Sequence, residues 1–81
     1  MSVTPDLVEE LNALIHFNLS NVQSGVKVHK SADPVIIGAF QRLYEKGLVT
    51  QADGGYLTPL GVEAAEHAEN LLIILTSQAV A

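Results

Sequence analysis

Apolar side chains recur along this chain at helical spacing in three stretches, each opened by a polar residue and a proline. Leu7, Leu11, Leu14 and Ile15, with Val8 beside them, trace one helix face behind Thr4-Pro5-Asp6. Threonine is placed to cap, proline at the first helical position orphans no amide, and Asp6, Glu9 and Glu10 suit the positive end of the dipole. The spacing predicts a helix over about 5–17. Ile36, Ile37, Phe40, Leu43 and Tyr44 form a second stripe after Asp33-Pro34, predicting a helix over about 34–46. Gly47 suits the left-handed position beyond its end, while Gly38 inside it costs about 1 kcal/mol relative to alanine. Leu60, Ala64, Ala68, Leu71, Leu72 and Leu75 follow Thr58-Pro59 and predict a third helix over about 59–77, with Glu63, Glu66 and Glu69 elsewhere on its surface.

The intervening segments carry shorter signals. Leu48-Val49-Thr50 and Tyr56-Leu57-Thr58 flank Gln51-Ala52-Asp53-Gly54-Gly55, whose Asp-Gly and Gly-Gly steps supply the positive φ angles of a hairpin over about 48–58. The connector 18–32 has two readings. Ser20 is placed to cap a short turn over 21–24 that Gly25 ends, and Val26-Lys27-Val28-His29 alternates as a brief half-buried strand does. A short second helix fits equally well. No internal repeat or linker is visible, so residues 1–81 read as one domain, mainly α with a small β-hairpin.

Within that order, Leu43-Tyr44-Glu45-Lys46-Gly47-Leu48-Val49 followed by Gly55-Tyr56-Leu57-Thr58-Pro59-Leu60-Gly61 resembles the winged helix-turn-helix pattern. There a helix ends in a Gly-Leu-Ile/Val step, a hairpin wing follows, and Leu-Thr-x-x-Gly begins the next helix. The match covers about half the chain well. Ala32-Asp33-Pro34, Gln41-Arg42-Leu43-Tyr44 and Asp53-Gly54-Gly55-Tyr56-Leu57-Thr58 also resemble a small family of uncharacterised proteobacterial proteins of this length, some of them labelled DNA-binding or transcriptional regulators. The resemblance implies a winged-helix-like fold in a bacterial protein, with transcriptional regulation as the associated class of function. Fold likeness alone specifies architecture better than activity.

The resemblance places the helix at 34–46 in the recognition position. With its apolar stripe inward, the outer face holds Val35, Gly38, Gln41, Arg42 and Glu45, with Ala39 and Lys46 at the edges. Gln41 and Arg42 are residue types that read adenine and guanine. Lys27, His29 and Lys30 lie just upstream, and beside Arg42 and Lys46 they would complete a small basic patch. These six are the candidate nucleic-acid contacts. Against them stand an N-terminal end of Asp33, Pro34 and Val35, which offers phosphate nothing, and an acid, Asp53, at the wing tip. The chain has four basic residues to nine acidic ones, a net charge of −5. Phosphate contact dominates nucleic-acid affinity, so charge disfavours DNA as a partner.

Composition narrows the remaining classes. At 48% hydrophobic the chain is expected to pack a core rather than stay disordered, and a chain with no cysteine fits a cytoplasmic location. MSVTPDLVEE has neither a basic stretch nor an apolar core of a leader, so no secretory signal is expected. The longest apolar run, residues 71–75, is far below the roughly 20 residues of a membrane span, so no membrane partner is expected. That run is apolar on every side of its helix, which a small domain has little material to cover. Leu72, Ile73, Ile74 and Leu75 are therefore the candidate interface of a homodimer or with another protein. Glu63 and His67 sit one turn apart but make only half a metal site, His16 and His29 have no partner at ligand spacing, and no nucleophile elbow or phosphate cradle is present. Neither a cofactor nor an enzyme is expected. The sequence thus reads as a winged-helix-like regulatory protein acting mainly through dimerisation and protein contacts. The alternative is a DNA-binding regulator of weak or partner-assisted affinity.

Overall fold

The computed structural model describes residues 1–17 and 25–77. Its elements run α1 (Pro5–Ile15), β1 (Val26–Lys27), α2 (Pro34–Glu45), β2 (Val49–Gln51), β3 (Gly54–Leu57) and α3 (Pro59–Thr76). The chain is mainly helical with a small antiparallel sheet, an architecture compatible with a winged-helix-like fold. Among the described residues, all three helices begin at a capping residue followed by proline. The Thr4 hydroxyl accepts from the Leu7 N–H at 3.3 Å, the Asp33 carboxylate from the Val35 N–H at 2.9 Å, and the Thr58 hydroxyl from the Gly61 N–H at 3.0 Å. No helix among the described residues is long and apolar enough to cross a membrane.

The sheet has the order β1-β3-β2, so the expected hairpin gains a third strand. Of the two readings of the connector, the strand is the one seen after Gly25, with Val26 opposite Gly55 and Lys27 opposite Gly54. The candidate turn over 21–24 lies outside the described residues. Between β2 and β3 the register shifts, and there the Thr50 hydroxyl accepts from the Tyr56 N–H at 2.9 Å. The side chain thus supplies an acceptor where the ladder is irregular.

The junction between α2, the hairpin and α3 is held by one threonine. Gly47 takes a positive φ of 78° just beyond α2, and Leu48 donates back to the Leu43 carbonyl at 2.9 Å. The Thr58 hydroxyl donates to the Gly47 carbonyl at 2.6 Å while accepting from Gly61, and the Thr58 N–H reaches the Leu48 carbonyl at 3.0 Å. A Cβ on Gly61 would overlap that same Leu48 oxygen, so only glycine lets α3 start this close to the hairpin. The Gly-Leu-Val and Leu-Thr-x-x-Gly segments therefore describe a structural clasp.

The core gathers Ala13, Leu14 and Phe17 from the α1 region, Ala39, Phe40 and Leu43 from α2, Val49 from β2 and Ala65 from α3. Phe17 and Phe40 meet with ring centroids 6.0 Å apart in a tilted arrangement. The buried faces differ from the predicted stripes. On α1 the inward positions are Glu10, Ala13 and Leu14, while Leu7, Val8 and Ile15 are exposed. On α2, Ile36 and Tyr44 are exposed and Ala39 is buried. On α3 the inward row is Gly61, Ala65 and Ala68: Ala68 belongs to the predicted stripe, whereas Gly61 and Ala65 are each one position on from the predicted Leu60 and Ala64. On α3 the cause is distance: the helix meets the hairpin over Gly61, where a Cβ would overlap the Leu48 carbonyl, and the larger Leu60 is left exposed.

Candidate functional site

Glu10 is the buried charged residue of the described structure, with its side chain only 7% exposed. It sits on the core face of α1, where a carboxylate without partners would be costly. α2 supplies them from two positions one turn apart. Arg42 Nε donates to Glu10 Oε2 at 3.1 Å, and Lys46 Nζ pairs with Glu10 Oε1. The Arg42 Nη2 group also lies 3.4 Å from Glu9 Oε2 and 4.0 Å from Asp6 Oδ1. Burial pushes the Glu10 carboxyl up, but the hydrogen bonds and charges of Lys46 and Arg42 outweigh it and hold it below its ordinary value. The Arg42 guanidinium is correspondingly held above its ordinary value, chiefly by the Glu10 hydrogen bond, against partial desolvation.

This arrangement changes the reading of the basic patch. Arg42 and Lys46 do not stand on the outward face of α2 as free cations; they turn toward α1 and are engaged by its carboxylates. Gln41 goes the other way. It lines a cleft of about 280 Å³ with Val28, His29, Lys30, Ile37 and Asp53. Lys27 is exposed on β1 and Lys30 in the turn that follows it, and among the described residues neither forms an ion pair. The six candidate nucleic-acid residues are thus split three ways: Arg42 and Lys46 are ion-paired toward α1, His29, Lys30 and Gln41 share a cleft with Asp53, and Lys27 stands exposed on β1 outside that cleft.

The other candidate surface is the end of α3. Leu71, Ile73, Ile74 and Leu75 are exposed by 48%, 56%, 70% and 68%. Leu72 is half-buried at the base of this group, and Leu71 belongs with the exposed set although its helical phase continues the core stripe. α3 has 18 residues, roughly 27 Å of helix, against 11 residues and roughly 16 Å in α1. α1 therefore lacks the length to cover all of α3. Earlier on the same helix, Glu63 and His67 lie 3.9 Å apart, both largely exposed, and no third ligand-type residue joins them among the described residues.

Sequence reasoning missed Glu10. Its signal was available: it stands three and four residues before Ala13 and Leu14, hence on their face, and Arg42 and Lys46 are spaced to bracket one carboxylate.

Residues 1–76 match the model of a family described as a family of unknown function (DUF5669). No curated protein and no solved structure matches the chain.

Proposed function

The chain belongs to this family of unknown function (DUF5669), and from its own geometry we propose that it is a winged-helix-like interaction module that self-associates through the end of α3. The observation that carries the reading is the run Leu71, Ile73, Ile74 and Leu75, exposed on different sides of one helix. A helix apolar all round is normally covered all round, and a second copy supplies the same apolar surface by symmetry. The winged-helix likeness supports reading such a dimer as part of a regulatory assembly. The role is one of binding rather than catalysis, in keeping with the Glu10–Arg42–Lys46 group being internally satisfied.

Light scattering tests it. A dimer is expected for the native chain, and Ile73→Glu combined with Ile74→Glu is expected to give a folded monomer with its helical circular dichroism retained. A native chain that stays monomeric at high concentration removes the proposal. Nucleic-acid reading is the second possibility, supported by the shared cleft of His29, Lys30 and Gln41. It ranks lower because Arg42 and Lys46 are engaged by α1.

A further inference from the structure

Between α1 and the first half of α2 lies an open groove of about 240 Å³. Its floor is Ala13 and Ala39, both buried and both small, and Val35 and Ile36 form a wall that is 49% and 40% exposed. Glu9, Asn12 and His16 make the rim. Small floor residues leave a depression, and apolar walls favour a hydrocarbon group over water inside it. The rim contributes a carboxylate and neither lysine nor arginine. That carboxylate, Glu9, lies 3.4 Å from Arg42 through Oε2, and together with Asp6 and Glu10 it makes three carboxylates against the two cations Arg42 and Lys46. Asp33 adds a further acid where α2 begins, next to Val35. An occupant that is apolar at its centre and cationic at its flanks is complementary on both counts.

We propose that this groove seats an apolar side chain of a basic protein segment, whose lysine or arginine meets the Glu9 rim. The site lies on α1 and α2, whereas the self-association surface lies on α3, so either reading can fail without the other.

The test uses the ¹⁵N-labelled full chain at low salt, titrated with acetylated, amidated peptides of sequence Lys-Leu-Leu-Lys, Gln-Leu-Leu-Gln and Glu-Leu-Leu-Glu. Amide shifts are expected to centre on residues 12–16 and 35–39. The lysine peptide is expected to bind about two- to tenfold tighter than the glutamate peptide, the scale of one or two exposed ion pairs. Glu9→Gln should narrow that preference, weakening the lysine peptide more than the glutamine peptide. Val35→Lys, at a position that is 49% exposed, should weaken the lysine peptide most. Shifts centred elsewhere, equal affinities for the three peptides, indifference to Glu9→Gln, or no shift up to the peptides' solubility limit would overturn the proposal.

Discussion

Glu10 is the buried charge that ties α1 to α2. Its carboxylate links α1 to two positions of α2, and a charged hydrogen-bonded group at 7% exposure is worth more than a surface pair. Glu10→Gln is expected to destabilise the fold by about 1.5–3 kcal/mol in urea denaturation. Because the folded-state carboxyl is held below the ordinary value of 4.5, its contribution is fully present above that pH and is lost as pH falls through the lowered folded value. The stability gap between native and Glu10→Gln proteins should therefore be flat at neutral pH and shrink below about 4.5. A gap independent of pH down to 3 would show that packing, not charge, makes the difference. At the same scale, Thr58→Ala removes an acceptor for the Gly61 N–H and a donor to the Gly47 carbonyl, at an expected cost of about 1–2 kcal/mol. Gly61→Ala forces α3 away from the Leu48 carbonyl and is expected to cost about 1–3 kcal/mol by the same measurement.

Among the elements, α3 serves two purposes along its length. Its first half is an inward row of glycine and alanine that lets the helix lie close to the hairpin and α1. Among the described residues its second half has no comparable cover, as the exposures of Ile73 and Ile74 record. Glutamates at these two positions should leave the first half undisturbed, so thermal stability at dilution is expected to change by less than about 1 kcal/mol, as surface substitutions do. In the native chain, by contrast, the melting temperature should rise with protein concentration if the dimer is linked to folding. Concentration-independent melting in both proteins would argue against self-association. α2 shows the complementary effect: the flank that turns to α1 carries its cations, which leaves Gln41 and Glu45 exposed beyond it.

For the whole molecule the charge distribution matters more than the net charge of −5. Of the four basic side chains, Arg42 and Lys46 are engaged by α1 carboxylates, leaving Lys27 and Lys30 to face solvent without ion pairs among the described residues. Two lysines release few counterions, so duplex DNA titrated at low salt is expected to show no saturable binding up to roughly 100 μM protein. Binding in that range, weakened by Lys27→Ala or Lys30→Ala, would favour the nucleic-acid reading. A fold compatible with the winged-helix pattern therefore does not by itself imply DNA as the partner.

How much of this was legible beforehand follows from which forces act locally. The cap-and-proline starts, the hairpin at Asp53-Gly54 and the clasp residues Gly47, Thr58 and Gly61 are written in the sequence, because caps, turns and positive φ angles depend on near neighbours. Mainly helical architecture with a small sheet follows from the same signals. The third strand, the rotation of each buried face and the direction of Arg42 and Lys46 are not local. Leu60 is more apolar than Gly61, yet Gly61 is buried, because the approach of α3 to the Leu48 carbonyl admits no side chain. Arg42 and Gln41 are neighbours in sequence, yet only packing decides that one meets Glu10 on α1 while the other lines the cleft beside Lys30. Sequence by itself determined where the helices start and the chain turns; tertiary contact decided which faces are buried and which charges remain available, since both depend on groups distant in sequence, such as Gly61 against Leu48 and Arg42 against Glu10.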